Sequence, residues 1–182
     1  MWTGPPPERI VLVGFMGAGK TSVGRALAPL VGFRFLDLDE RVEARTGRSV
    51  AGIFKEQGEA AFRVAEREAA QSIQSEPRLV VAAGGGAFAE AATREALSQG
   101  AVTVWLRCPL EVVLARLPAD GRRPLLGSRE IMRDLLARRE ESYGLADVAV
   151  DARAGSPAEV ASRIADVLRG RGIGKGDRAA GR

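Results

Sequence analysis

The chain has 182 residues, 46% of them hydrophobic, which is enough for one well-buried domain and too few for two comfortable ones. Its net charge is +4, but the arginines are spread along the chain and aromatic residues make up only 5%, which argues against a nucleic-acid-binding surface. No apolar run approaches the roughly 20 residues of a membrane span, and the only cysteine, Cys108, excludes an intramolecular disulfide.

The two ends of the chain are expected to be disordered. Residues 1–8 are rich in proline, and residues 170–182 are rich in glycine and in basic residues, with almost no apolar content. The first segment also lacks the charged stretch and the apolar core of a signal peptide. We therefore predict a single domain over residues 9–169, in a cytoplasmic protein that has neither a membrane nor a nucleic acid as its partner.

Residues 14–21, with the sequence Gly-Phe-Met-Gly-Ala-Gly-Lys-Thr, match a complete phosphate-binding loop. They follow an apolar run at 10–13 and precede an amphipathic segment at 22–30, and this strand–loop–helix context is what the pattern requires. The glycines allow several backbone N–H groups to point at one anion, which also faces the positive end of the following helix. Lys20 can reach the β- and γ-phosphates of a nucleotide, and the Thr21 hydroxyl can bind Mg²⁺. The sequence therefore predicts a site for a nucleoside triphosphate.

Five short apolar runs alternate with segments that are long enough for crossover helices. Several of these runs are apolar throughout, which is typical of strands in a parallel sheet covered on both faces. We therefore predict an α/β fold, in which a doubly wound, five-stranded parallel sheet is flanked by helices on both faces and binds ligands at the carboxyl ends of its strands. The predicted strands cover residues 10–13, 33–36, 79–83, 101–106 and 148–150.

The second predicted strand ends in Asp37-Leu38-Asp39. Residues two apart on a strand point to the same side, so both carboxylates are expected to face the crevice beside the phosphate loop. One carboxylate suits a direct or water-mediated contact with Mg²⁺, and the other suits an acceptor hydroxyl, which it can hydrogen-bond or deprotonate. The alternative is that Asp39 is the N-cap of a helix over residues 40–45.

The third predicted strand ends in Gly84-Gly85-Gly86. A run of three glycines costs backbone entropy, and bare N–H groups there would let a small substrate lie against the main chain. The alternative is a turn that only joins a strand to a helix.

Residues 117–128 are predicted to form a mobile lid. The turn-rich segment 118–121 lies between two helical segments and is followed by Arg122-Arg123-Pro124-Leu125-Leu126. An arginine on a lid that closes over the γ-phosphate would neutralise charge in the transition state and exclude water as a competing acceptor.

From about residue 10 to residue 168 the chain resembles the shikimate kinases. The resemblance implies a P-loop kinase fold and a monomeric, Mg²⁺-dependent enzyme that phosphorylates the 3-hydroxyl of shikimate with ATP. The products would be shikimate 3-phosphate and ADP, in the biosynthesis of chorismate and the aromatic amino acids. The motifs that carry the resemblance are residues 14–21, Asp37-Leu38-Asp39, Arg45-Thr46-Gly47-Arg48-Ser49, Gly58-Glu59 leading to Phe62-Arg63, Gly84-Gly85-Gly86 and Arg123-Pro124-Leu125-Leu126.

The resemblance also implies how ATP and the metal are held. Lys20 and the amides of the loop would hold the phosphates, Thr21 would bind Mg²⁺, and Asp37 would support the metal through water. Arg123 would move with the lid onto the phosphates. The implied ATP-binding residues are Gly17, Ala18, Gly19, Lys20, Thr21, Ser22, Arg116 (which would stack on adenine), Arg123 and Arg153, with Pro157 as another candidate.

For shikimate, the resemblance implies that Asp39 holds two ring hydroxyls and orients or deprotonates the attacking one. Arg63 and Arg139, rather than Arg138, would clamp the carboxylate, since guanidinium groups suit planar bidentate contacts. Without the resemblance, each of these arginines is typical of a solvated helix face. The substrate pocket would be lined by the amides of Gly84, Gly85 and Gly86, and the catalytic residues would be Lys20, Asp39 and Arg123.

Two other kinds of function stay open at this point. One is a kinase for another small hydroxy acid such as gluconate, or for a nucleoside monophosphate. The set of Asp39, Arg63 and Arg139 argues against it, because it suits an acceptor that carries both hydroxyls and a carboxylate. The other is an ATP-binding regulatory module without catalysis, against which the presence of Lys20 and Arg123 argues.

Overall fold

The computed structural model describes residues 7–116 and 129–171. The predicted lid over 117–128, with Arg123, lies outside the described residues, as does most of each predicted terminal segment. Two residues of the first terminal segment are described: Pro7 is buried, and the backbone N–H of Glu8 donates to the carbonyl of Gly100.

Within the described residues, five strands alternate with seven α-helices, which confirms the predicted α/β class. A short 3₁₀ turn, Ile73–Ser75, follows the third helix. The strands are β1 Arg9–Val13, β2 Arg34–Asp37, β3 Leu79–Ala82, β4 Ala101–Arg107 and β5 Val148–Asp151. The helices are α1 Lys20–Val31, α2 Leu38–Thr46, α3 Val50–Ser72, α4 Ala91–Ser98, α5 Leu110–Arg116, α6 Arg129–Tyr143 and α7 Pro157–Gly170.

The strands form one parallel sheet in the order β2-β3-β1-β4-β5. Strand β1 lies at the centre, where Arg9 pairs with Leu79 on one side and with Ala101 on the other. Every residue of β1 and β3 is buried, because helices cover both faces of the sheet, and this explains their uninterrupted apolar sequences. The strand order changes direction at β1, so the carboxyl end of this strand is the expected position of a ligand site.

The segment after β2 differs from the sequence-based prediction. Strand β2 is displaced by one residue and ends at Asp37, while Asp39 lies in the first turn of α2 rather than on a strand. The carboxylate of Asp37 accepts a hydrogen bond from the backbone N–H of Asp39 at 3.0 Å, so Asp37 is the N-cap and the helix begins at once. The prediction that the two aspartates share a strand face was wrong, and so was the alternative that Asp39 is the cap.

Helix α3 changes direction at Gly58. The φ angle of Gly58 is 81°, a conformation that glycine adopts without strain, and the helical hydrogen-bonding pattern resumes after it. The segment after this kink carries Arg63, and its buried residues include Phe62 and Glu66. The kink therefore sets the direction of a helical segment that presents both apolar and charged groups to the interior.

None of the helices in residues 7–116 and 129–171 is both long and apolar enough to cross a membrane.

Candidate active site

A cleft of about 490 Å³ lies at the carboxyl end of the sheet. Its lining comes from the loop after β1 with the start of α1, the end of β2 with the start of α2, the end of β3 with the glycines after it, the end of α5, and the segment after β5 with the start of α7. The structure thus brings together residues that are far apart in sequence. The sequence-predicted residues in this lining are Gly17, Ala18, Gly19, Lys20, Thr21, Ser22, Asp37, Asp39, Gly84, Gly85, Arg116 and Pro157.

The phosphate-binding loop folds as its sequence predicts. Gly17 and Gly19 have φ angles of 74° and 93°, which residues other than glycine rarely adopt. Gly19 is also the N-cap of α1. The Lys20 ammonium group donates to the carbonyls of Gly14 at 2.8 Å and Phe15 at 2.9 Å. The lysine therefore folds back over its own loop, and its charge lies beside the N-terminus of a helix, where an anion is favoured.

Thr21 and Asp37 meet at the edge of the loop. The Thr21 hydroxyl donates to Oδ2 of Asp37 at 2.8 Å, while Oδ1 of the same carboxylate caps α2. Both carboxylate oxygens of Asp37 are thus fixed in place. A hydroxyl oxygen and a carboxylate oxygen side by side are ligands of the type that Mg²⁺ prefers.

Asp39 lies in the cleft in a setting that disfavours its charge. Burial raises the pKa of Asp39, and the neighbouring Asp37 raises it further, while Lys20 and Arg63 act in the opposite direction. Its Oδ1 atom is buried and accepts no hydrogen bond from any residue that the structure describes. Asp39 therefore offers an acceptor oxygen whose basicity is higher than that of an exposed carboxylate.

Glu66 is a site residue that sequence reasoning missed. It is fully buried, and its Oε2 atom accepts from Nη1 of Arg63 at 2.7 Å. Burial raises the pKa of Glu66, with a further contribution from Asp39, and Arg63 opposes this rise. A glutamate three residues after an arginine on a helix is typical of an exposed ion pair. The sequence therefore gave no indication that Glu66 is buried.

The run of three glycines has a steric explanation. A Cβ atom on Gly84 would lie 2.7 Å from Oε1 of Glu66 and 3.1 Å from Oδ1 of Asp39. A Cβ atom on Gly86 would lie 2.7 Å from Nη2 of Arg63. The charged side chains therefore approach the backbone of this segment more closely than any side chain on it would allow. The segment is more than a turn between a strand and a helix.

Arg63 and Arg139 both lie beside these glycines, although neither is in the lining of the cleft. Arg63 is held by Glu66 and by Glu59, whose Oε1 accepts at 2.9 Å. Nη1 of Arg139 lies 3.5 Å from the position of a Cβ atom on Gly85, and its guanidinium lies 5.8 Å from the centre of the Phe15 ring. Arg138 is exposed, so the placement favours Arg139 over its neighbour.

The other end of the cleft is formed by Arg116 and the segment after β5. Arg116 donates to the carbonyls of Ala152 at 2.9 Å and Arg153 at 3.3 Å. The Arg153 side chain pairs with Asp151 at 2.7 Å and is not part of the lining, whereas Pro157 is. In this segment, Pro157 therefore lines the cleft and the Arg153 side chain does not.

Tyr143, at the end of α6, is a second residue that sequence reasoning missed. Its side chain is fully buried, its ring lies 6.0 Å from that of Trp105, and its hydroxyl donates to the carbonyl of Gly85. Burial raises the pKa of Tyr143 to about 12, although the nearby Arg139 guanidinium lowers it. The hydroxyl is therefore a hydrogen-bond donor at any pH near neutrality.

The pKa of Tyr143 can be tested directly, because it is the single tyrosine of the chain. We expect the ultraviolet absorbance of phenolate to develop near pH 12 in the folded protein and near the ordinary value of about 10 in urea. Since the folded state keeps the proton longer than the unfolded state, this contribution to stability is complete below pH 10 and is lost as the pH rises through about 12. Titration at the same pH in both states would contradict the burial of the hydroxyl.

Comparisons with known proteins identify the family and the fold. A family model described as "Shikimate kinase" matches residues 16–169. The shikimate kinases of Halorhodospira halophila and Moorella thermoacetica are 44% and 43% identical to this chain, and each alignment covers 90% of this chain and 95% of the relative. The solved structure of a shikimate kinase from Acinetobacter baumannii in complex with shikimate matches with a TM-score of 0.84 and 39% identity, over 91% of this chain and 94% of that one.

Proposed function

Because the chain belongs to the shikimate kinase family, we propose that it transfers the γ-phosphate of ATP to the 3-hydroxyl of shikimate. The products are shikimate 3-phosphate and ADP, in the biosynthesis of chorismate and the aromatic amino acids. One observation carries the proposal: the phosphate-binding loop and the cluster of Asp39, Arg63 and Glu66 meet at the glycines after β3. A triphosphate and a small anionic alcohol could therefore be held side by side.

The nucleotide would occupy the cleft with its phosphates on the loop. The amides of residues 17–22 and the Lys20 ammonium group supply donors and positive charge at the N-terminus of α1. Arg116 and Pro157 form the far end of the cleft, which suits a flat purine ring. The roles of Arg123 on the lid and of Arg153 stay predictions.

Mg²⁺ fits the pair formed by Thr21 and Asp37, since hydroxyl and carboxylate oxygens are its preferred ligands. Within residues 7–116 and 129–171, no group of three or more acidic, histidine or cysteine side chains could hold a metal. We infer that Thr21 binds the ion directly and Asp37 binds it through water, together with the phosphates. When bound, the ion would neutralise charge on the β- and γ-phosphates.

The acceptor would lie against Gly84 and Gly85. We infer that Asp39 Oδ1 accepts a hydrogen bond from the attacking hydroxyl and aligns it with the γ-phosphate, which Lys20 holds on the opposite side. The guanidinium groups of Arg63 and Arg139 would bind the carboxylate of shikimate. Glu66 would keep the Arg63 guanidinium in place through its buried hydrogen bond. Most of the catalysis then comes from position and charge.

The alternatives are not favoured, because relatives with 40–44% identity over most of the chain are shikimate kinases. A panel of acceptors tests the choice directly: ADP release is measured with shikimate, gluconate and nucleoside monophosphates. Of these acceptors, we expect only shikimate to give ADP release, and the shikimate should be recovered in phosphorylated form. Turnover with gluconate instead would overturn the acceptor, and ATP binding without transfer to any acceptor would support the regulatory module. A monomeric state and a cytoplasmic location stay predictions, which sedimentation and cell fractionation can test.

A further inference from the structure

Gly85 lies where two parts of the proposed site touch. A Cβ atom on Gly85 would lie 3.2 Å from the backbone nitrogen of Met16, in the phosphate-binding loop. The same atom would lie 3.5 Å from Nη1 of Arg139, which we propose to bind the carboxylate of the acceptor. A small movement of this one peptide would therefore change the distance between the two halves of the site.

The hydroxyl of Tyr143 is bonded to the peptide of Gly85. It donates to the carbonyl of Gly85 from a side chain that is fully buried, so solvent does not reach the donor. Tyr143 and Arg139 are four residues apart on α6, so they lie on the same face of the helix. The helix thus brings a neutral donor to the carbonyl of Gly85 and a cation close to the same residue.

We propose that Tyr143 is a positioning residue for the acceptor: its hydroxyl fixes the peptide of Gly85 and the guanidinium of Arg139 relative to the phosphate-binding loop. The inference rests on the proposed function, since it concerns the binding of shikimate. Tyr143 is buried and does not line the cleft, so its effect passes through Gly85 and Arg139.

The hydroxyl, rather than the ring, carries this role. The ring packs against Trp105 and would be kept in a Tyr143→Phe variant, which removes only the donor. The carbonyl of Gly85 would then lose its buried partner, and the guanidinium of Arg139 would lose a neighbouring oxygen. Both changes loosen the side of the site that binds the acceptor, and neither removes a group that contacts the nucleotide in the proposed complex.

The test compares Tyr143→Phe with Thr103→Val. Thr103 is also buried, and its hydroxyl donates to Asp147 at 2.7 Å, but neither residue lines the cleft. The control therefore loses a buried hydroxyl of the same kind without touching the site. We expect Tyr143→Phe to raise the KM for shikimate about tenfold, which corresponds to the upper end of the range for one ordinary hydrogen bond. The KM for ATP should change less than about twofold, and Thr103→Val should lower stability with both KM values unchanged.

The outcomes separate this inference from the proposed function. A wild-type protein that does not phosphorylate shikimate would contradict the proposed function, whatever Tyr143 does. An active wild type with an unchanged KM for shikimate in Tyr143→Phe would overturn the inference, as would equal increases in both KM values. Should Tyr143→Phe not fold, 3-fluorotyrosine can replace the single tyrosine of the chain. A shift of its fluorine resonance on addition of shikimate would support the inference, and an unchanged resonance would overturn it.

Discussion

Replacement of Lys20 by alanine should lower kcat for shikimate phosphorylation by about a thousandfold, the scale expected when one donor to transition-state charge is lost. The Lys20 ammonium group lies over the phosphate-binding loop, held by two carbonyls at 2.8 and 2.9 Å, and in the proposed complex it would move onto the transferred phosphate. Its contribution grows as charge develops on the γ-phosphate, so kcat should fall more than the KM for either substrate rises.

Lys55→Ala is the matched control for this variant, because Lys55 is an exposed lysine on α3. It should keep wild-type kinetics. Both variants should remain folded, since the hydrogen bonds of Lys20 to the carbonyls of Gly14 and Phe15 contribute about 2 kcal/mol to the free energy of unfolding. Near-normal turnover by a folded Lys20→Ala protein would show that the phosphates are held elsewhere.

The phosphate-binding side of the site could be predicted from sequence because its parts are contiguous. The loop, the cap of α1 and the lysine lie within residues 14–21, and glycines at fixed offsets determine the backbone conformation. The parallel sheet was predictable for a similar reason, since strands buried on both faces are apolar throughout. In both cases the physical cause is local, so a single sequence reveals it.

The acceptor side depends on contacts between distant segments, and there the sequence was less informative. A period of two placed Asp39 correctly towards the cleft but on the wrong element, because the cap at Asp37 begins the helix at Leu38, two residues before the predicted start at residue 40. Glu66 and Tyr143 gave no signal at all. Each looks like an ordinary helix residue, and only the packing of α3 and α6 against the glycines after β3 gives it a role.

The three glycines after β3 show most clearly what could not be predicted from the sequence. The cost in backbone entropy indicated that Gly84, Gly85 and Gly86 have a specific role, and the sequence left open whether they form a turn or line a substrate pocket. The structure supplies a third reason, which is the close approach of the charged side chains themselves. A sequence cannot reveal this, because the groups that require the glycines lie between about 20 and more than 50 residues away along the chain.

The second large effect is expected at Arg63. Arg63→Ala should raise the KM for shikimate about a hundredfold and leave the KM for ATP nearly unchanged, because it removes a charged partner of the carboxylate in ground and transition states alike. It should also lower the free energy of unfolding by about 3 kcal/mol, since the Glu66 side chain is only 1% exposed and would lose the partner of its charge. Steady-state kinetics and urea unfolding measure the two effects.

A second substitution separates these effects. In Arg63→Ala/Glu66→Gln the buried charge is gone, so most of the lost stability should return, while the KM for shikimate should stay high. The exposed pair of Arg25 and Glu40, at 3.0 Å, provides the control, and Arg25→Ala should cost less than about 1 kcal/mol. If the double variant instead regained its affinity for shikimate, Arg63 would serve only to neutralise Glu66, and the carboxylate would bind to Arg139 without it. An effect of Arg63→Ala on ATP alone would mean that the carboxylate of the acceptor does not bind to Arg63.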